Sequence, residues 1–99
     1  MSPKNGGKFD LKLGPVTAAA ACYSVVLQTS GASFRSEASV ATEGTGSVDF
    51  AAWASESNDR PPEWLVADVR AALKAALRSS RAEGHWPRRI TRWRPEPSD

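Results

Sequence analysis

Hydrophobic and polar residues alternate along much of the first half of the chain, a pattern typical of strands that bury one face. The alternating segments are residues 8–13, 23–28, 34–41 and 48–52. Gly14-Pro15 predicts the end of the first strand, and glycine-containing turns are predicted at residues 29–32 and 43–46. These segments predict an antiparallel meander of three to four strands.

Residues 16–22 interrupt this alternation with four consecutive alanines. Alanine favours helix by intrinsic propensity, so the segment is compatible with a short helix as well as with a strand. We favour the strand because β-branched and aromatic residues dominate from Tyr23 onward and turn signals lie on both sides.

The strongest helical signal follows a polar connector at residues 55–60. Prolines at 61 and 62 are tolerated in a first helical turn, and the negative charge of Glu63 complements the helix dipole there. Residues 64–81 are rich in alanine, leucine and arginine, and Gly84 suits a left-handed C-cap. The sequence therefore predicts one long helix.

A last strand is predicted at residues 86–94, and Pro87 near its start indicates an edge position. The expected fold class is α+β, in the order β-β-β-α-β, with the helix on one face of the sheet and the other face solvated or covered by a partner. A right-handed crossover would place the last strand beside the first and parallel to it. A chain of 99 residues fits one domain, expected at residues 8–94, with a disordered tail at 1–7 and a second tail at 95–99.

At 100° per residue the predicted helix has three faces. An apolar stripe faces the core, and a basic ridge lies opposite. A third face carries Trp64, Ala71 and Ala75. Alanines there fit either the close approach of another chain or an ordinary helix surface. A homodimer through this face or through an edge strand is a secondary prediction.

Charge is strongly polarised although the formal net charge is only +2. Between Asp10 and Asp68 the net charge is −5, whereas between Arg70 and Arg94 it is +7. The candidate polyanion-binding residues are Arg70, Lys74, Arg78, Arg81, Arg88, Arg89, Arg92 and Arg94. These cations form one surface if the last strand borders the helix. The alternative is that they pair with the acids of the first half.

Trp86 and Trp93 are the remaining candidate interaction residues. In a strand they point to opposite faces, so at most one is an exposed stacking platform and the other belongs to the core or the sheet edge.

Catalytic, nucleotide-binding and metal-binding motifs are not found in the sequence. Cys22 and His85 are each the only residue of their type, so we expect no catalytic residue, metal site or cofactor.

A single cysteine forms no intrachain disulfide, which favours the cytoplasm. Residues 19–22 loosely match a lipoprotein cleavage box, but Asp10 and Gly14-Pro15 break the leader that such a box needs. No stretch approaches the ~18–20 apolar residues of a membrane span.

These observations favour a small non-enzymatic module that binds a protein partner or itself. The alternative is a nucleic-acid-binding module that uses the basic helix ridge and the terminal strand of arginines and tryptophans. The two functions differ in their dependence on salt, because phosphate binding weakens steeply as salt rises.

Overall fold

A computed structural model describes residues 6–44, 46–55 and 60–95. Its elements are β1 (Gly6–Val16), β2 (Ala20–Thr29), β3 (Ser33–Ala41), β4 (Val48–Phe50), β5 (Ala54–Ser55), α1 (Glu63–Glu83) and β6 (Arg89–Pro95). The strand order is β4-β3-β2-β1-β6, with β5 also paired to β3, and every pairing is antiparallel. The predicted α+β class, with a meander, one helix and a final strand, is confirmed.

The alanine-rich segment forms two strand ends joined by a tight turn. The Thr17 backbone N–H donates to the Ala20 carbonyl at 2.8 Å, and the Thr17 hydroxyl accepts from the Ala20 N–H at 3.1 Å.

The predicted end of the first strand at Gly14-Pro15 is wrong, because β1 continues to Val16. Its register with β2 shifts after Leu13, and this irregularity accommodates the proline.

The core lies between α1 and the face of the sheet that it covers. The helix buries Leu65, Val69 and Leu73 completely, at the spacing expected of an apolar stripe. The strands contribute alternate residues: Phe9, Leu11, Ala21, Tyr23, Val25, Leu27, Phe34, Ala38 and Val40. At the helix end, Gly84 adopts φ +83° and its N–H donates to the Ser80 carbonyl at 2.8 Å, which confirms the predicted C-cap.

The last strand joins β1 as predicted, but it runs antiparallel to β1 and not parallel. Leu65 near the start of α1 packs over Gly7 at the beginning of β1, whereas Leu77 near its end packs over Gly46, beside the other end of the sheet. The helix thus carries the chain to the Val16 end of β1. The five residues from Gly84 to Arg88 reach at most ~17 Å, about half the length of β1, so β6 must start there and run back.

The ordered strands extend slightly beyond the expected domain. β1 begins at Gly6 and β6 ends at Pro95. The rest of the two predicted tails, residues 1–5 and 96–99, and residues 56–59 of the connector lie outside the described residues. In the described part of the chain, no helix has the combination of length and apolarity that a membrane crossing requires.

Candidate interaction surface

The sheet face that α1 does not cover is polar, as expected from the alternation. A shallow depression of ≈ 230 Å³ lies on this open face. It is lined by Lys8, Asp10, Lys12, Ser24, Val26 and Gln28. One aliphatic side chain among these six makes the lining mainly polar, as is typical of a solvated surface.

Asp10 joins β1 to β6 on the open face. Arg89 donates from Nε to Oδ1 at 3.0 Å and from Nη2 to Oδ2 at 2.8 Å, and the Thr91 hydroxyl donates to Oδ1 at 3.0 Å. These hydrogen bonds, chiefly those from Arg89, lower the pKa of Asp10, and the same pair raises the pKa of Arg89. Arg89, one of the predicted polyanion-binding residues, therefore already has an internal carboxylate partner.

The two C-terminal tryptophans occupy different environments, and only Trp93 is exposed, as predicted. The prediction that both lie in the last strand is wrong, because β6 begins at Arg89. Trp86 is half-buried, packs against the core and meets the Tyr23 ring edge to face, with the ring centroids 6.3 Å apart. The Tyr23 hydroxyl donates to the Pro87 carbonyl at 2.6 Å, which fixes the connection that leads into β6. Trp93 is 55% exposed.

Backbone contact with β1 holds the exposed indole in place. A Cβ added to Gly6 would lie 2.7 Å from Cζ2 and 3.2 Å from Cε2 of Trp93, so only glycine at this position leaves room for the ring. Lys8, two residues further along β1, pairs with Trp93 in the register. One part of the Trp93 indole thus contacts the sheet, and the remainder is exposed to solvent.

The outer edge of β6 has free backbone groups. The Leu13 N–H donates at 2.9 Å to the carbonyl of Arg88, the residue before β6. By the same alternation, Ile90, Arg92 and Arg94 direct their backbone groups to β1. Arg89, Thr91 and Trp93 therefore direct theirs away from the sheet, where no strand of the described chain pairs with them. One of these groups is occupied, because the Arg92 guanidinium donates to the Thr91 carbonyl at 2.8 Å.

Arg92 and Arg94 are exposed on the helix side of the same strand, and Arg88 is exposed immediately before it. Among the described residues, no carboxylate lies within ion-pair distance of any of them. We call this surface the β6 edge. It comprises the outward backbone groups of Arg89, Thr91 and Trp93, together with the side chains of Arg88, Arg92, Trp93 and Arg94.

The basic helix ridge lies elsewhere. The Arg70 guanidinium lies 5.3 Å from the centroid of the Phe50 ring in β4, and Arg81 donates to the Thr42 and Gly44 carbonyls at 2.8 and 3.1 Å. Lys74 and Arg78 are exposed between them. Because β4 and β6 are at opposite edges of the sheet, the eight predicted cations are divided between two flanks and do not form one surface.

A larger open depression of ≈ 580 Å³ lies beside the start of α1. It is lined by Trp53, Arg60, Pro61, Glu63, Val66, Ala67 and Arg70. The lining includes two arginines and one glutamate, so it combines charges of both signs and favours no single class of ligand.

The other residues singled out from the sequence lie outside the β6 edge. Trp64 is half-buried against the core, whereas Ala71 and Ala75 are exposed, and the homodimer through this helix face stays a prediction. His85 is exposed, with Nε2 4.0 Å from a Glu83 carboxylate oxygen, just beyond the helix end. Cys22 is half-buried in β2.

Sequence reasoning did not identify Thr91 as part of the β6 edge, or Gly6, Lys8 and Asp10 of β1 as its neighbours. The alternation of residues 8–13 indicated a solvent face on β1, but only the pairing of β1 with β6 brings that face to the arginines and Trp93. Comparison of the chain with models of protein families, with curated proteins and with solved structures finds no significant match.

Proposed function

We propose that this protein is a small non-enzymatic binding module that recognises a protein partner through the β6 edge. The observation that carries the proposal is Trp93, an indole 55% exposed on an edge strand and seated against Gly6. Tryptophan and arginine are the side chains that most often dominate binding energy at protein interfaces. Here Trp93 lies between Arg92 and Arg94 in the chain, and neither arginine has an acidic partner among the described residues.

Nucleic-acid binding is the second proposal, and the distribution of cations favours it less. Arg70 and Arg81 contact the β4 side of the domain, and Arg89 is held by Asp10. A strand of nucleic acid that follows the β6 edge would meet three unpaired arginines and one exposed ring. Continuous polyanion binding usually uses a longer basic groove with several stacking platforms.

A random peptide display library tests the protein-binding proposal. The wild-type protein is the bait, and selected peptides are titrated against Trp93→Ala and against Arg78→Ala, an exposed helix cation that serves as the matched control. We expect Trp93→Ala to weaken binding at least about tenfold, as for an interface hot spot, and Arg78→Ala to leave it unchanged. Failure to select any peptide, or equal binding to both variants, would contradict the proposal.

Titration with single-stranded RNA and DNA at several salt concentrations tests the alternative. Three phosphate contacts at the β6 edge give a slope of log K against log salt of about −2, whereas eight contacts give about −6. Absence of binding at low salt would eliminate this function. A slope near −6 would instead contradict the division of the cations into two flanks.

The cytoplasmic location is also part of the proposal. Its support is the sequence, in which Cys22 is the only cysteine.

A further inference from the structure

We infer that the partner is an acidic extended segment that adds to the sheet as a new strand alongside β6. This inference rests on the proposed function, in that the β6 edge must be the binding surface. It specifies what binds there, namely a peptide backbone with carboxylates on one face.

The backbone of β6 can accept another strand. Arg89, Thr91 and Trp93 direct their N–H and carbonyl groups away from β1, and they occur at every second residue as a strand ladder requires. β6 has seven residues, which exceeds the common strand length of about five to six. Main-chain hydrogen bonds to a sheet edge of this kind supply affinity, and alternate side chains supply specificity.

The side chains of β6 define which peptide fits. Arg92 and Arg94 lie on the helix side of the strand together with Ile90, whereas Thr91 and Trp93 lie on the open side. Arg88 is exposed immediately before β6 and continues the alternation on the helix side. Directly opposed residues of neighbouring strands interact, and opposite charges there are favourable. The matching segment therefore has carboxylates at alternate positions on one face and apolar or hydroxyl side chains on the other, where one packs on Trp93.

Charge argues against a second copy of the chain as the occupant. Two β6 strands paired antiparallel would bring arginines from both copies to one face of the joined sheet. Like charges on facing strands are destabilising, and charged edge strands are a common protection against such pairing. The described β6 residues include no acid that could offset this repulsion.

Arg92 makes the edge selective. Its guanidinium donates to the Thr91 carbonyl at 2.8 Å, where a donor from an added strand would bind. A carboxylate opposite Arg92 offers the guanidinium a stronger, charge-assisted hydrogen bond and so frees the Thr91 carbonyl. A neutral strand offers no such exchange and must compete with Arg92 for the same acceptor.

The test uses the full chain and a synthetic, terminally blocked heptapeptide. Its glutamates are placed to oppose Arg88, Arg92 and Arg94, with valine and threonine at the other positions. Two isomers carry N-methyl groups on alternate amides, either on the edge that would pair with β6 or on the opposite edge. A glutamine version has the same shape without charge. Affinity is measured by calorimetry, and backbone contact by amide hydrogen exchange.

We expect slower exchange at the amides of Arg89, Thr91 and Trp93, and loss of binding only for the isomer methylated on the pairing edge. Removing the three ion pairs in the glutamine peptide should weaken binding about tenfold or more. Arg92→Ala should reduce the preference for the glutamate peptide over the glutamine peptide, whereas the matched control Arg78→Ala should preserve it.

Different results distinguish failure of the strand-addition inference from failure of the proposed protein-binding function. Trp93-dependent binding that both methylated isomers retain overturns strand addition and leaves the protein-binding function intact. Equal affinity for the glutamine peptide overturns the acidic partner. A dimer of the free protein that forms through β6 overturns the choice of occupant. If neither these peptides nor any member of the display library binds, the proposed function itself fails.

Discussion

Replacing Tyr23 with phenylalanine tests the contact that leads the chain from α1 into β6. The Tyr23 hydroxyl donates to the Pro87 carbonyl at 2.6 Å, and Tyr23 is only 1% exposed. Tyr23→Phe keeps the ring and removes the hydrogen bond, at a cost of about 1 kcal/mol in the free energy of unfolding. For a domain of this size, that loss lowers Tm by roughly 4–8 °C. Urea unfolding and thermal melting at pH 8 measure both quantities.

The same variant has a second, alkaline signature. Burial raises the pKa of Tyr23 from 10.0 to about 12, so the folded state holds the phenol proton more tightly than the unfolded state. The stability that follows from this proton is complete below pH 10 and is lost as the pH rises toward 12. Linkage permits a loss of at most about 1.4 kcal/mol per pH unit in this window.

Tyr23→Phe has no phenol to titrate, so the difference between the two proteins isolates this group. The wild type should be the more stable at pH 8, and its advantage should fall by about 1 kcal/mol at pH 11. A variant as stable as the wild type at pH 8 would contradict the role of the hydrogen bond. An advantage that is unchanged at pH 11 would contradict the effect of burial. Circular dichroism at each pH checks that both proteins start folded.

Four further substitutions, one of them a control, test the fold and the open face. Gly46→Ala should lower the free energy of unfolding, measured in urea, by about 1–3 kcal/mol. The reason is that φ is +76° and the new methyl would meet Leu77. The control Gly44→Ala, at φ +67° in open space, should lower it less. Leu73→Ala removes a side chain that is 0% exposed, and it should cost about 2–5 kcal/mol in the same assay. Asp10 has a lowered pKa, so its stabilising effect is present above its ordinary value of 3.8 and is lost as the pH falls through the folded-state value. Asp10→Asn should therefore be less stable than wild type at pH 7, and the gap should close in acid; a gap that persists at pH 2 would contradict the ion pair.

Local pattern was sufficient to predict the types of the main elements. Alternation of apolar residues located the long strands, because a strand with one buried face needs period two whatever its neighbours are. The helix and its glycine C-cap followed from alanine, leucine and arginine content and from Gly84. The burial of Trp86 and exposure of Trp93 also agreed with the prediction that only one would be exposed, although β6 starts after Trp86.

The local sequence pattern could not predict how distant elements are placed relative to one another. The direction of β6 depends on where α1 ends relative to β1, and that depends on helix length and on which glycines Leu65 and Leu77 cover. The pairing of Asp10 with Arg89 depends on the β1–β6 register, which neither segment specifies alone. For the same reason, sequence spacing could not show that the helix ridge and the terminal arginines lie on opposite flanks.

The arginines of β6 combine two requirements that are often in conflict. An edge strand needs charge to prevent pairing with other copies, yet a binding edge needs accessible backbone groups. Arg92 meets the first requirement by its charge and by covering the Thr91 carbonyl. In the strand addition that we infer, an opposing carboxylate would draw the guanidinium away, so the same side chain would also meet the second requirement for an acidic partner. Protection and selectivity at this edge are therefore coupled, and a substitution at Arg92 that weakens one should weaken the other.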